Sequence, residues 1–187
     1  LRMSPLSSSA PVTSLRAPDR TPLLFTVNMG LEDVVIDEYR ERAAAAGLEV
    51  TDTDDEPFGL QSYALVEVDA APDAALAVAR QMRSAHHVLA PLYTFTIPDD
   101  GEEALQTIHD TVKAHDVPAM ETAETFRASS VRQGTHDFTS VDVQKWAGGA
   151  LDARYDAAVD LEDYDVEVRA DVHDDRCLVS VQHTREA

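Results

Sequence analysis

The sequence has one cysteine, seven glycines, two lysines and no long apolar run among its 187 residues. A single cysteine cannot form an internal disulfide or supply the paired thiolates of a structural zinc site, so stability must come from a buried core. No stretch approaches the roughly 18 apolar residues that a membrane-spanning helix needs, and the amino end has no basic start followed by an apolar signal core. We therefore expect a soluble cytoplasmic protein with no membrane partner.

The same scarcity limits the catalytic functions that the chain can have. No glycine-rich loop follows a strand pattern, so there is no phosphate-binding loop and no dinucleotide fingerprint, and no Asn-Pro-Pro-aromatic segment of nucleobase methyltransferases is present. Cys177 lies in an apolar run without a neighbouring base, which favours an inert core thiol. His86 and His87 would point to opposite sides of a strand, and the other histidines are scattered. We predict no catalytic residue, metal site or cofactor within this chain.

Acidic residues dominate the composition. The chain has 22 Asp and 13 Glu against 13 Arg and 2 Lys, for a net charge of −20. Such a charge ordinarily opposes a polyanion partner, but this balance also fits a halophilic protein, whose surface stays soluble in concentrated salt. The net charge then reflects the solvent, and a nucleic-acid site must be sought locally. Residues 125–146 carry three cations and two carboxylates, and are the positive stretch of the predicted folded region.

The pattern of elements divides the chain into three parts within an α+β class. Residues 1–20 are rich in Ser and Pro without a hydrophobic period, which predicts a flexible tail. Residues 21–96 follow the order β-α-β-β-α-β, the ferredoxin-like arrangement. The breaker Pro98-Asp99-Asp100-Gly101 then precedes a mixed α/β unit that we place at residues 97–187. Its predicted elements are helices at 103–114 and from Ser140, and strands at 126–131, 165–172 and 177–181.

The positive stretch holds the candidate binding site. Gly134 permits a bend that could bring Arg132, His136 and Phe138 to the start of the next helix, where free amides after Ser140 form an anion site. Arginine binds phosphate through its planar fork, and aromatic or imidazole rings stack on unpaired bases. In the alternative interpretation, the phenylalanine fills the core, the serine caps a helix and the arginines are solvated charges. The residues alone leave both interpretations open.

These residues also resemble a known family. The run Phe126-Arg127, followed by Val131-Arg132-Gln133-Gly134-Thr135-His136-Asp137-Phe138-Thr139-Ser140-Val141-Asp142-Val143, is similar to the signature of the THUMP domain, an RNA-binding module of tRNA-modifying enzymes. The strands at 166–169 and 176–181 resemble its final hairpin. The segment Asn28-Met29-Gly30-Leu31-Glu32-Asp33 is similar to the Pro-Gly-Leu-Glu opening of N2-guanine RNA methyltransferases that carry this module, with Met29 in place of proline.

The resemblance implies a THUMP domain that follows a ferredoxin-like unit and binds the 3′ acceptor end of tRNA. It further implies an S-adenosylmethionine-dependent guanine N2-methyltransferase whose catalytic domain, with its cofactor, lies outside this chain. The expected RNA-binding residues are phosphate contacts at Arg127, Arg132 and Lys145, the bend at Gly134, stacking or turn-shaping groups at His136 and Phe138, and the helix start at Ser140. The alternatives are a tRNA thiolation enzyme, a stand-alone RNA-binding adaptor and a protein interaction module.

Overall fold

The computed structural model describes residues 8–183 and confirms the predicted mixture of helices and strands. Residues 1–7, the first part of the predicted flexible tail, lie outside this range. The described helices are α1 (Glu32–Ala45), α2 (Pro72–Ala79), α3 (Gly101–Ala114) and α4 (Ser140–Arg154). The described strands are β1 (Thr13–Ser14), β2 (Thr21–Thr26), β3 (Glu49–Asp54), β4 (Tyr63–Asp69), β5 (His87–Thr96), β6 (Thr125–Ser129), β7 (Arg132–Gln133), β8 (Ala158–Val159), β9 (Val166–His173) and β10 (Arg176–Gln182).

The elements form two compact units. The N-terminal unit comprises Leu15–Pro91 with the described residues after Val181, and the C-terminal unit comprises Leu92–Val181 with the described part of Leu1–Ser14. The division falls between Pro91 and Leu92, within β5, and the boundary after residue 96 stays a prediction. No helix in the described range has both the length and the apolar composition needed to cross a bilayer.

The N-terminal unit is a four-stranded antiparallel sheet with two helices. Its strands pair in the order β3-β4-β2-β5. Side chains alternate between the faces of a strand, and the apolar set of β2 and β4 packs with α1 and α2. This core includes Leu23, Phe25, Val35 and Val66. The Tyr39 hydroxyl donates a 3.0 Å hydrogen bond to the Ala75 carbonyl and so joins α1 to α2.

The C-terminal unit contains a mixed sheet. Its strands lie side by side in the order β5, β10, β9, β6 and β8, and β5 contributes its later part. Strand β6 runs parallel to both of its neighbours, and the short β7 also pairs in parallel with β9. A two-residue turn at Asp174 and Asp175 joins β9 to β10, as the sequence predicts. Helices α3 and α4 pack on each other, and α4 packs on β6. The buried core includes Ile108, Phe126, Val143, Leu151 and Leu178.

Residues 8–14 of the predicted tail form hydrogen bonds within the C-terminal unit. The Ser8 amide donates to the Asp110 carboxylate at 3.0 Å, and the Ala10 amide donates to the Thr111 hydroxyl at 2.9 Å. The strand β1 then pairs antiparallel with β5. Since these bonds join residues about a hundred positions apart, no local sequence pattern could indicate them.

Candidate nucleic-acid interface

A sharp bend follows β7 at Gly134. Its φ of +112° lies in the region that favours glycine, because a Cβ would be strained there. Space imposes the same requirement, since a Cβ on this residue would lie 2.5 Å from Oδ1 of Asp174 and 3.0 Å from Cε1 of His136. The bend expected from the sequence is therefore present, and it brings the chain close to the turn between β9 and β10.

The bend holds the side chain of Arg132 in place. Nη1 of Arg132 donates to the Gly134 carbonyl and to Nδ1 of His136, each at 2.8 Å. Nε2 of His136 donates in turn to the Asp174 carbonyl at 2.6 Å. Because a guanidinium can only donate and a carbonyl can only accept, Nδ1 is the accepting and Nε2 the donating nitrogen of this ring. Within residues 8–183, the Nε and Nη2 groups of Arg132 donate to no protein atom, so they remain able to bind an anion.

Phe138 lies in the core of the C-terminal unit and is only 4% exposed. Its ring packs on His136 with 4.8 Å between ring centroids. Gly101 at the start of α3 packs so closely that a Cβ there would lie 3.0 Å from Cβ of Asp137. This buried packing against His136 favours the turn-shaping role that we expect for Phe138, and its part in RNA binding stays a prediction.

The start of α4 differs in detail from the expectation. The helix begins at Ser140, as predicted, but Thr139 is its cap. The Thr139 hydroxyl accepts from the Asp142 amide at 3.2 Å, and the Asp142 carboxylate accepts from the Thr139 amide at 2.9 Å, which is a capping box. The backbone hydrogen bond from Thr139 is the main reason that the pKa of Asp142 is lowered. Two of the amides expected to bind an anion, those of Asp142 and Val143, thus donate to the hydroxyl and the carbonyl of Thr139.

Arg127 lies apart from this bend. It projects from β6 with its guanidinium carbon 5.8 Å from the ring centroid of Tyr164, a cation–π contact. Its neighbour across the parallel pair is Glu167, and its buried Nε has no hydrogen-bond partner in the described range. The pKa of Tyr164 is raised, mainly by burial and to a lesser extent by the Glu167 carboxylate. Arg127 is thus half-buried beside Tyr164 and Glu167, away from the bend.

Lys145 is exposed on the outer side of α4, one turn after Asp142, and its charge helps to lower the pKa of that carboxylate.

The structure brings some of the expected binding residues together and leaves others apart. Arg132, Gly134, His136 and Phe138 are in mutual contact, whereas no described contact joins Arg127 or Lys145 to them.

Strand β9 carries a row of buried ionisable side chains that we did not predict from the sequence. Alternate residues of this strand, Glu167, Arg169, Asp171 and His173, are all buried, with exposures of 8%, 5%, 0% and 5%. Nη2 of Arg169 lies 2.9 Å from Oδ2 of Asp171. The Ser129 hydroxyl donates to Glu167 at 2.7 Å, and burial lowers the pKa of His173. The only sequence signal is the strict alternation of charged and apolar residues, which usually indicates a solvent-exposed face.

Comparison with known proteins identifies the C-terminal unit. Residues 102–182 match the THUMP domain family. The tRNA (guanine(6)-N2)-methyltransferase of Thermus thermophilus is 34% identical over 103 residues, which are 55% of this chain and 30% of that protein. An Escherichia coli tRNA sulfurtransferase is 33% identical over 89 residues, which are 38% of this chain and 18% of that protein. The chain therefore spans less than a third of the length of either curated relative.

Solved structures extend the similarity beyond the matched domain. The crystal structure of TrmN from Thermus thermophilus is similar over 89% of this chain and 46% of that chain, with 28% identity and a TM-score of 0.67. A putative methyltransferase, SMU.472, complexed with SAH, is similar over 89% of this chain and 42% of that chain, with 16% identity and a TM-score of 0.53. The second likeness concerns the fold alone.

Proposed function

We propose that this chain, whose residues 102–182 are a THUMP domain, is the RNA-binding region of a tRNA-modifying methyltransferase. The observation that most supports this proposal is the fixed guanidinium of Arg132, which lies inside the segment that resembles the family signature. A pre-oriented cation loses little conformational freedom on binding a phosphate, so more of the interaction energy appears as affinity. The identity to a tRNA guanine N2-methyltransferase supports tRNA as the substrate.

The proposed RNA element is the unpaired 3′ acceptor end of tRNA. A net charge of −20 repels a long duplex, whereas a short single strand can reach one cationic bend without bringing many phosphates near the acidic surface. In this proposal Arg132 binds a phosphate, and the exposed Lys145 and half-buried Arg127 contribute more weakly. His136 and Phe138 hold the bend instead of stacking on bases.

The N-terminal unit is, in the same proposal, a ferredoxin-like companion of the THUMP domain. Its order β3-β4-β2-β5, its antiparallel pairs and its two helices support this assignment. Methyl transfer to guanine N2 would use S-adenosylmethionine, and we assign no residue of this chain to that cofactor. Acting on tRNA would place the protein in the cytoplasm.

A second candidate is the RNA-binding module of a tRNA thiolation enzyme. The identity of 33% to a tRNA sulfurtransferase favours it specifically. The two candidates share the proposed RNA and differ in the chemistry of the complete protein. We place methyl transfer first because the similarity to the methyltransferase covers more of this chain, both in sequence and in structure.

Fluorescence anisotropy with intact tRNA, and with tRNA that lacks its terminal CCA, tests the proposed function. We expect the intact tRNA to bind more tightly, because the unpaired end supplies the bound phosphates. A blunt RNA duplex of similar length serves as the control for non-specific attraction. Equal and negligible binding of all three RNAs would contradict an RNA-binding role and favour a protein partner.

A further inference from the structure

The backbone beside Arg132 is held by a buried carboxylate. Asp171 has no exposed surface, and its Oδ1 accepts a 3.0 Å hydrogen bond from the amide of Val131, the residue before Arg132. The same oxygen lies 3.3 Å from Nε of Arg169, whose Nη2 lies 2.9 Å from Oδ2 of Asp171. Arg169 thus holds the carboxylate, and the carboxylate binds the backbone of the segment that carries the proposed RNA contact.

The segment is also held by its pairing with β9. Strand β7 has two residues, which pair with Val172 and His173 of β9. The Val172 amide donates to the Val131 carbonyl at 2.8 Å, and the Asp174 amide donates to the Gln133 carbonyl at 3.0 Å. Those two bonds use carbonyls of the segment, whereas the bond to Asp171 binds its amide. The carboxylate therefore supplies the acceptor that a longer strand would obtain from its neighbour's backbone.

A buried ion pair is a costly way to stabilise a fold. Replacing such a pair by apolar residues of similar volume is often neutral or stabilising, because both charges must be desolvated. The Arg169–Asp171 pair has an additional partner, the Val131 amide, which an apolar replacement would leave without an acceptor. The position of this amide, directly before Arg132, connects the pair to RNA recognition.

We propose that Asp171 is a positioning residue for RNA binding. Its carboxylate, oriented by Arg169, fixes the Val131 amide and thereby the direction in which Arg132 leaves the backbone. The inference rests on the proposed function, because Arg132 is the group through which it acts. It predicts that the hydrogen-bond acceptor at position 171, and not the ion pair as such, maintains RNA affinity.

Two double variants separate the acceptor from the charge. R169M/D171N removes both charges and retains an oxygen for the Val131 amide, whereas R169M/D171L removes both charges and the acceptor at similar volume. We expect the asparagine variant to bind intact tRNA within about twofold of the unmodified chain, and the leucine variant to lose on the order of tenfold, as for one hydrogen bond whose donor is left unpaired. Circular dichroism must first show that both are folded at the temperature used.

Three further measurements make the outcome decisive. In the R132A background the two double variants should bind tRNA equally, because Asp171 acts through Arg132. V168A, on the opposite apolar face of β9, should lower the unfolding temperature without changing RNA affinity. Amide hydrogen exchange at Val131 should accelerate in R169M/D171L and not in R169M/D171N. If the leucine variant does not fold, R169M/D171A replaces it.

The possible failures are distinguishable. Equal affinities of the asparagine and leucine variants with Arg132 present, or equal exchange rates at Val131, would overturn the role of Asp171 while leaving the proposed function intact. A leucine-variant loss that persists in the R132A background would mean a general structural effect and would also overturn the inference. Absence of tRNA binding by the unmodified chain would instead overturn the proposed function, and the inference with it.

Discussion

Arg132 and His136 are joined by a 2.8 Å hydrogen bond in which the guanidinium donates and the imidazole accepts. The same ring donates to the carbonyl of Asp174, so one histidine connects the cation to the turn between β9 and β10. The arrangement orients the guanidinium before any ligand binds.

Replacing Arg132 by alanine should weaken binding to intact tRNA by about 1–3 kcal/mol, the usual contribution of a charge-assisted hydrogen bond. R83A is the matched control, because it removes the same charge from an exposed position in the N-terminal unit. Anisotropy titrations of both variants give the comparison. An affinity of R132A equal to that of R83A would remove Arg132 from the binding site.

Gly134→Ala should destabilise the C-terminal unit by about 1–3 kcal/mol, because alanine is strained at positive φ and its methyl group meets the Asp174 carboxylate. Gly149→Ala is the control. Gly149 lies in the interior of α4 with no atom within 4 Å of an added Cβ, so this change should stabilise by about 0.5–1 kcal/mol. Denaturant unfolding of both variants measures the difference, and equal effects would contradict the strained bend.

Glu38 should make the N-terminal unit sensitive to acid. Burial alone would raise its pKa, but hydrogen bonds from Ser84 and Arg83, with the side chain of Arg42, lower it to about 2. Because the folded pKa lies below the ordinary value of 4.5, this stabilisation is complete above pH 4.5 and is lost as the pH falls towards 2.

E38Q should therefore cost roughly 1–3 kcal/mol of unfolding free energy at pH 7 and progressively less below pH 4.5. Urea unfolding of the two proteins between pH 2 and pH 7 measures this convergence, and D37N, with an exposed carboxylate on the same helix, is the control. A difference that stays constant across this range would show that Glu38 titrates normally.

Salt should affect stability and RNA binding in different ways. Screening reduces repulsion within a chain of charge −20, so the unfolding temperature should rise with KCl. Affinity for tRNA should fall only slightly, with a logarithmic slope no steeper than about −2 for three phosphate contacts on a single strand. Titrations between low and molar KCl measure both quantities. A much steeper slope would mean that many more phosphates are neutralised than the bend and its neighbours provide.

The local parts of the structure were predictable from the sequence. The start of α4 at Ser140 and the bend at Gly134 follow from short-range preferences of the backbone. The capping role of Thr139 was also within reach, since Thr139 and Asp142 have the spacing of a capping box.

Other features could not be predicted from local patterns. Alternation of charged and apolar residues, as along β9, is typical of a strand with one solvated face, yet the face that carries Arg169 and Asp171 is buried. The sequence left open whether Phe138 stacks on a base, shapes the turn or fills the core, and its 4% exposure places it in the core. Burial depends on which distant elements cover a residue, and periodicity along one strand contains no information about them.

The sequence by itself determined the order of the four helices and the longer strands in the described range, the glycine at the bend and the resemblance to a THUMP domain, because each depends on residues that are neighbours along the chain. The tertiary structure decided how Arg132 is held, since His136, which accepts from its guanidinium, bonds to Asp174, 38 positions after the histidine. It also decided that Asp171 binds the Val131 amide, 40 positions away. Such contacts form only when the sheet brings distant segments together, so folding, and not local preference, orients the proposed RNA-binding cation.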